Sequence, residues 1–546
     1  MTTMTGGQAI VQSLIRNGVD TVFGLPGVQL DHTFDAFHES QEEVRVIHTR
    51  HEQGAAYMAL GYAQSTGRVG TCIVVPGPGV LNTGAALATA AGSNVPVFCL
   101  TGQIPSYQIG QGLGIPHEIR DQLQAMGGIV GWAERADSPA DAPEKIRGAF
   151  RAMLSGRHQP AVFEMAPDVM GQSGNVELLE PERFNEGPET EDAAIAAAAE
   201  LLGSAEKPVI FVGSGVFGAE AELLRVAEML EAPVVMSRTG RGAVSDRSYL
   251  AQNMIAGQEL WTEADAALVV GTRFLAPALA WGREEEVKTV RIDIDPEQGA
   301  KPRSADIGIT ASARTGLSLL AERLDKTNRT RPSRKDELEA LKAEIHERLA
   351  SLEPQHSLAW AMRDELPDDA IIVTDVTQLA TYSQYDIPIY EPRTLITPGY
   401  QGTLGYAYPT GLGAQVAHPD RKVLVISGDG GFMFNVQELS TAVAHGINVV
   451  CVVFADGAFG NVKRIQKDSF GGRNIAVELH NPDFVTLAKS FGMLGLRAKT
   501  ADELRHAMRE AFDAKGPALI EVPVGELPSI WKLIRRPPSQ GVVASS

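Results

Sequence analysis

The stretch from Val423 to Asn461, VLVISGDGGFMFNVQELSTAVAHGINVVCVVFADGAFGN, leaves the chain few folds to choose from. An apolar, β-branched run over Val423 to Ile426 reads as a buried parallel strand. It breaks at Gly428-Asp429-Gly430-Gly431, where glycines let backbone amides come close to a bound group. A helical pattern over Val436 to His445 follows, then a second apolar strand, Asn448 to Phe454, running up to Asp456. Strand, helix and strand in this order make a βαβ unit, and open sheets of such units bind ligands beyond the carboxyl ends of their strands. Asp429 and Asp456 both fall at those ends. Two carboxylates beside a glycine turn suit Mg²⁺, which takes one or two carboxylates together with substrate phosphates. Gly-Asp-Gly by itself equally describes a turn with solvated carboxylates.

The 546 residues predict several domains. Two changes of character divide them. The stretch MGQSGNVELLEPERFNEGPETED, near 170 to 195, is polar and acidic, and RTRPSRK at 329 to 335 is rich in Pro and basic residues. The latter leads into a helical pattern with Leu338, Leu341, Ile345 and Leu349 on one face. Domains over 1–175, 190–328 and 350–546 follow. Each alternates strand and helix, which predicts an α/β fold of three domains, each a mainly parallel sheet flanked by helices.

Composition narrows the function classes. Acidic residues outnumber basic ones 67 to 48, a net charge of −19 with no dense basic cluster, which argues against nucleic acid as a partner. No uncharged apolar run reaches the roughly eighteen residues of a membrane span. The N-terminus, MTTMTGGQAIVQSL, has no charged region followed by an apolar core, so a cytoplasmic protein is expected. Cys72, Cys99 and Cys451 are scattered in apolar segments without CxxC spacing and read as buried thiols.

The Gly-Asp-Gly segment, its helix and strand, and the acidic turn resemble the signature of thiamine diphosphate enzymes, which closes on Asn-Asn where this chain has Ala455-Asp456. The resemblance implies thiamine diphosphate and Mg²⁺ as cofactors. The metal would be held by Asp429, Asp456 and the carbonyl of Ala458, and the diphosphate by Gly428, Gly430, Gly431, Phe459 and Gly460. An Asp at 456 keeps the oxygen ligand and adds a negative charge. FGLPG at 23–27, RHEQGAAYMALGYA at 50–63 and VVPGPGVLN at 74–82 are similar to the pyrimidine-binding domain of the family. Glu52 then matches the carboxyl group that favours the imino tautomer of the aminopyrimidine, so that its amine can take a proton. Pro26 and Gly27 belong to the same half of the site. GYQGTLGYAYPTGLGA at 399–414 resembles the segment that bends the cofactor, with Leu404 as the wedge and the Gly402 carbonyl as acceptor for the amine. TDVTQ at 374–378 corresponds to a segment near the diphosphate; Gln378 is kept, while Leu379 stands where acetolactate synthases usually have His.

Acetolactate synthase-like and benzaldehyde lyase-like members are the most similar in pattern. They imply 2-oxo acid decarboxylation with or without carboligation, or cleavage of 2-hydroxy ketones. Their sites are completed by two subunits, which implies a dimer at minimum and makes a tetramer plausible. His117, in Pro116-His117-Glu118, lies where the family has Phe-Gln-Glu, and reads either as a proton shuttle or as a surface-loop His. Gln29 falls where benzaldehyde lyase-like relatives place a His; as an amide it can orient a carbonyl but not act as a base. Asn461, Arg464 and Ile465 replace the usual Met and Trp, against the ordinary self-condensation of pyruvate.

The middle domain reads two ways. Gly213-Ser214-Gly215-Val216-Phe217-Gly218 is a full GxGxxG, yet the next strand, Pro233 to Met236, ends in Ser237-Arg238 rather than an acidic residue for a ribose. Arg273-Phe274-Leu275-Ala276-Pro277 departs from the Arg-Phe-Asp-Asp-Arg of FAD-binding relatives, while IDIDP at 292–296 is retained. FAD therefore stays open as a third cofactor, and a flavin or nicotinamide oxidoreductase or a non-catalytic homologue are the readings from other classes.

Overall fold

The computed structural model describes residues 1–182 and 191–534. Residues 183–190 of the polar junction and residues 535–546 at the end of the third domain lie outside the described residues. Three six-stranded parallel sheets account for the architecture. The first runs in space Arg45–His48, Thr21–Gly24, Gly70–Val74, Val97–Gly102, Ala161–Met165, Trp132–Ala136. Numbered along the chain, that order is 2-1-3-4-6-5, and the third sheet, from Ile371–Thr374 to Ala518–Pro523, repeats it. The central sheet, from Pro208–Val212 to Ile307–Thr310, has the order 3-2-1-4-5-6. All three are therefore doubly wound, with a crevice where the order reverses. A short antiparallel pair, Thr2–Thr5 with Ser173–Val176, which the sequence pattern does not foreshadow, ties the two ends of the first domain together.

The strands form where β-branched runs lie. Val423–Gly428 and Val450–Ala455 pair in register, Leu424 opposite Val450, and both are buried almost throughout. Between them the helix differs from expectation. Gly428 closes the strand, the following Asp429–Phe432 is itself helical, and the chain passes through a tight turn at Met433–Asn435 before it continues as Glu438–His445. The helix starts at Asp429 because its carboxylate sits in the first turn, where free amides favour negative charge.

The first and third domains are joined by two helices, Glu52–Thr66 and Ala407–Ala417, that approach closely in opposite directions. Glycines make this approach feasible. A methyl group on Gly61 would stand 2.0 Å from the Thr410 carbonyl oxygen, and one on Gly413 would stand 1.9 Å from that of Met58. At the far end Tyr406 donates to Gln64 at 2.6 Å. The helix Lys335–Ala350 buries Leu338, Ile345 and Leu349. Cys72, Cys99 and Cys451 are free and buried. No helix among the described residues is long and apolar enough to cross a membrane.

Candidate active site

At the crevice of the third sheet, between Ile371–Thr374 and Val423–Gly428, the expected diphosphate and metal residues meet. Asp429, 2% exposed, accepts the amides of Gly430 (2.8 Å) and Gly457 (2.8 Å) and the side-chain amide of Asn481 (2.6 Å). Asp456 accepts the amide of Ala458 at 3.1 Å. Burial and the nearby charge of Asp429 push the Asp456 carboxyl up to about 6. Two carboxylates whose charges raise one another's cost are what a cation would relieve. Among the described residues no group of three or more His, Cys, Asp or Glu side chains could hold a metal by itself. The donor set is therefore two carboxylates completed by carbonyl and ligand oxygens, which suits Mg²⁺ beside a diphosphate.

The glycines here are cradle positions. A methyl group on Gly430 would lie 2.9 Å from the Phe459 ring, one on Gly431 2.6 Å from Asp375, and one on Gly428 3.2 Å from Thr377. One on Gly460 would lie 2.4 Å from Asp456 and 3.4 Å from the Gln378 amide nitrogen, so Gln378, Asp456 and Gly460 border one space. Gly402 is exposed with φ of 58°, and Leu404 is half-buried two residues on.

A second cluster forms at the first sheet. Glu52 opens its helix behind the His51 cap and accepts from Asn82 at 3.0 Å. A methyl group on Gly79 would lie 3.5 Å from Glu52. Gly27 packs on Val75, and Pro26 lies beside it at the surface. Gln29 packs on Gly102, and its side-chain oxygen is buried without a hydrogen-bond partner among the described residues. His117, at φ of 69°, covers the Gly77 turn and its Nδ1 lies 3.1 Å from the Pro76 carbonyl. Behind that turn, buried Gln122 accepts from the Gly77 amide and donates to Glu164, which pairs with Arg135.

Within one chain Glu52 and the segment carrying Leu404 are not brought together. Glu52 and Gln64 are twelve positions apart on one helix, about 18 Å at 1.5 Å per residue. The segment carrying Gly402 and Leu404 is fastened near the Gln64 end through Tyr406.

Several residues escape sequence reasoning. Asn481, 52 positions from Asp429, clamps its carboxylate; the only local sign is its place two residues before the Asp483 helix cap. Asn82 closes the VVPGPGVLN segment, where no local signal assigns it a role. Glu438, fully buried, accepts the amide of Arg50 at 3.1 Å and the Thr441 hydroxyl at 2.6 Å, and burial raises its carboxyl pKa.

In the central domain, a cavity of about 400 Å³ opens at the sheet's switch point and reaches both neighbouring domains; Gly215, Gly218, Arg273, Asp293, Arg314 and Arg393 line it. The helix after the GxGxxG begins only at Glu220, behind a separate turn at Ser214–Val216. Gly215 packs on Gly271, where a methyl group would meet the Gly271 Cα at 2.8 Å. That close packing is a reason for glycine independent of any pyrophosphate.

Fold and half-sites together define a class. Three family models match the chain: the N-terminal thiamine pyrophosphate-binding domain over residues 4–126, the central domain over 195–320 and the C-terminal thiamine pyrophosphate-binding domain over 375–522. The chain belongs to the thiamine pyrophosphate enzymes and is acetolactate synthase-like. It is 34% identical to a probable 2-ketoarginine decarboxylase of Pseudomonas aeruginosa, over 95% of this chain and 94% of that protein. It is 32% identical to a probable acetolactate synthase large subunit of Methanocaldococcus jannaschii (96% and 93%), and 30% identical to the acetolactate synthase isozyme 2 large subunit of Escherichia coli (97% of each).

Proposed function

We propose that this protein is a Mg²⁺-dependent thiamine diphosphate enzyme that decarboxylates a 2-oxo acid, with or without transfer of the remaining fragment to a second carbonyl. The observation that carries the reading is the opposed pair Asp429 and Asp456 at a glycine-lined strand end, with Glu52 opening a helix in the other domain. When bound, thiamine diphosphate supplies an electron sink for breaking a bond next to a carbonyl. This chain's residues do the rest. Asp429, Asp456 and the Ala458 carbonyl hold the metal, and the amide-rich turn at Gly428–Gly431, with Gln378, Phe459 and Gly460, holds the diphosphate. Leu404 and the Gly402 carbonyl fix the cofactor's shape. Glu52, steadied by Asn82, would face the aminopyrimidine and hold or release a proton at its carboxyl oxygen. Gln29 and His117 border the pyrimidine side, Gln29 with a free acceptor for the substrate and His117 as a candidate proton donor.

Because Glu52 and Leu404 lie toward opposite ends of one helix, a working site takes its pyrimidine half from one chain and its diphosphate half from another. The proposed enzyme is thus a homodimer or a dimer of such dimers, active in the cytoplasm. The names of its relatives support a 2-oxo acid as donor. Cleavage of a 2-hydroxy ketone runs on the same machinery and is the alternative. The cavity at the central switch point, with its cations Arg273, Arg314 and Arg393, is what favours keeping FAD as a further ligand. CO₂ release and product analysis on a panel of 2-oxo acids and 2-hydroxy ketones, with cofactor and metal added or withheld, tests the proposal. Turnover without thiamine diphosphate would overturn it, and a flavin spectrum of the purified protein decides the FAD question.

A further inference from the structure

We propose that Asp375 is the positioning residue that sets the diphosphate turn and the cofactor-bending segment in fixed relation to each other. The inference rests on the thiamine diphosphate reading above. Asp375 follows the strand Ile371–Thr374 and is 2% exposed. A buried carboxylate is costly, and burial pushes this one up to about 6 although it is richly hydrogen-bonded.

Its partners come from three separate segments. One oxygen accepts the amide of Val376 at 2.8 Å, which shapes the turn leading to Gln378. The other accepts the Ser427 hydroxyl at 2.9 Å, immediately before the diphosphate glycines. The amides of Gly405 and Ala407, directly after Leu404, lie near enough to the carboxylate to stabilise its charge. Asp375 further limits the cradle from beneath, since a methyl group on Gly431 would stand 2.6 Å from its carboxylate.

Among the described residues no charged partner balances Asp375, and none of its hydrogen bonds comes from the Asp429 and Asp456 pair. A residue serving stability alone would be replaced here by an apolar one at little cost, because burying a carboxylate against amides gains little over good packing. What an apolar residue lacks is four acceptor positions on two oxygens, and these join segments that the chain does not join locally. As a positioning residue, Asp375 is assigned no contact with the reacting atoms. It acts through the backbone at Gly405 and through Ser427.

The test is Asp375→Asn, which keeps the size but turns one acceptor into a donor facing amides that can only donate. Thiamine diphosphate with Mg²⁺ is titrated into the stripped full-length protein and followed by near-ultraviolet circular dichroism, with a thermal melt on the same sample. The expected result is at least a tenfold loss of cofactor affinity. At saturating cofactor, kcat should fall at least tenfold with KM for the 2-oxo acid within twofold, which a purely structural role would not produce. Affinity and kcat both within twofold of wild type overturn the assignment. If Asp375→Asn does not fold, Ser427→Ala decides, since it removes one donor only; about a threefold loss of affinity supports the role and unchanged affinity overturns it. Wild-type protein that fails to bind thiamine diphosphate would defeat the functional reading itself, a result distinct from either.

Discussion

Replacing Asp456 by Asn restores the residue that this family's motif carries, and the structure fixes what should change. In the unfolded chain the carboxyl ionises near 3.8; in the folded protein burial and the charge of Asp429 push it up to about 6. Such a displacement is equivalent to about 3 kcal/mol at neutral pH for a fully buried group. Asp456 is only half-buried, so screening by solvent reduces the cost to about 1 kcal/mol. The sign follows from proton linkage. The folded state holds this proton more tightly, so its contribution to stability falls as pH rises from 3.8 through 6, and the whole cost is present above that. Asp456→Asn, without metal, should therefore melt about 2 °C higher than wild type at pH 8 and at the same temperature near pH 4. Mg²⁺ should reverse the order, because the wild type offers the ion one more negative charge; its apparent affinity should be at least tenfold greater than that of the variant. Calorimetric melts of stripped protein at both pH values, with and without Mg²⁺ and thiamine diphosphate, measure both effects. A variant no more stable than wild type at pH 8, or equal Mg²⁺ effects on the two, would refute the opposed-carboxylate account.

Mg²⁺ binding to the wild type should weaken as pH falls below about 6, by up to tenfold per pH unit, since Asp456 must lose its proton to ligate; titration calorimetry across pH 5 to 8 checks this. Glu52→Gln should leave cofactor binding within a few-fold of wild type and lower turnover by about 10² to 10⁴, read by CO₂ release and by cofactor titration in parallel. Gly61→Ala should cost 3 kcal/mol or more, because the new methyl meets a backbone carbonyl at 2.0 Å rather than a side chain that can turn away; chemical denaturation measures it. Sedimentation of dilute protein should show activity lost in step with dissociation to single chains, since one chain holds Glu52 and Leu404 near opposite ends of a helix.

The geometry of the Gly428–Gly431 turn was legible because it is local. Val423 to Gly428 is a strand by its β-branching, Asp429 stands at its end among glycines, and Asp456 closes the next strand; each reading uses a few neighbouring residues. The helix boundary was not, because the pattern over Val436 to His445 says nothing about the earlier turn at Asp429, where free amides and a carboxylate start the helix ahead of the apolar periodicity. Asp375 and Asn481 could be read as letters but not as roles, since their partners stand up to 52 positions away.

Sequence alone thus settled the alternation of strand and helix, the division into α/β domains and which carboxylates end their strands, since propensity, glycine freedom and apolar periodicity act over a turn or two of chain. Only the tertiary structure decided that the first and third sheets share one strand order while the central one has another. It also decided that Glu438 meets Arg50 across 388 positions, and that Gly61 and Gly413 let two helices touch and so hold Glu52 away from Leu404. Those outcomes depend on close packing and on the hydrogen-bond demands of buried groups, which bring together residues whose separation along the chain carries no record of their contact.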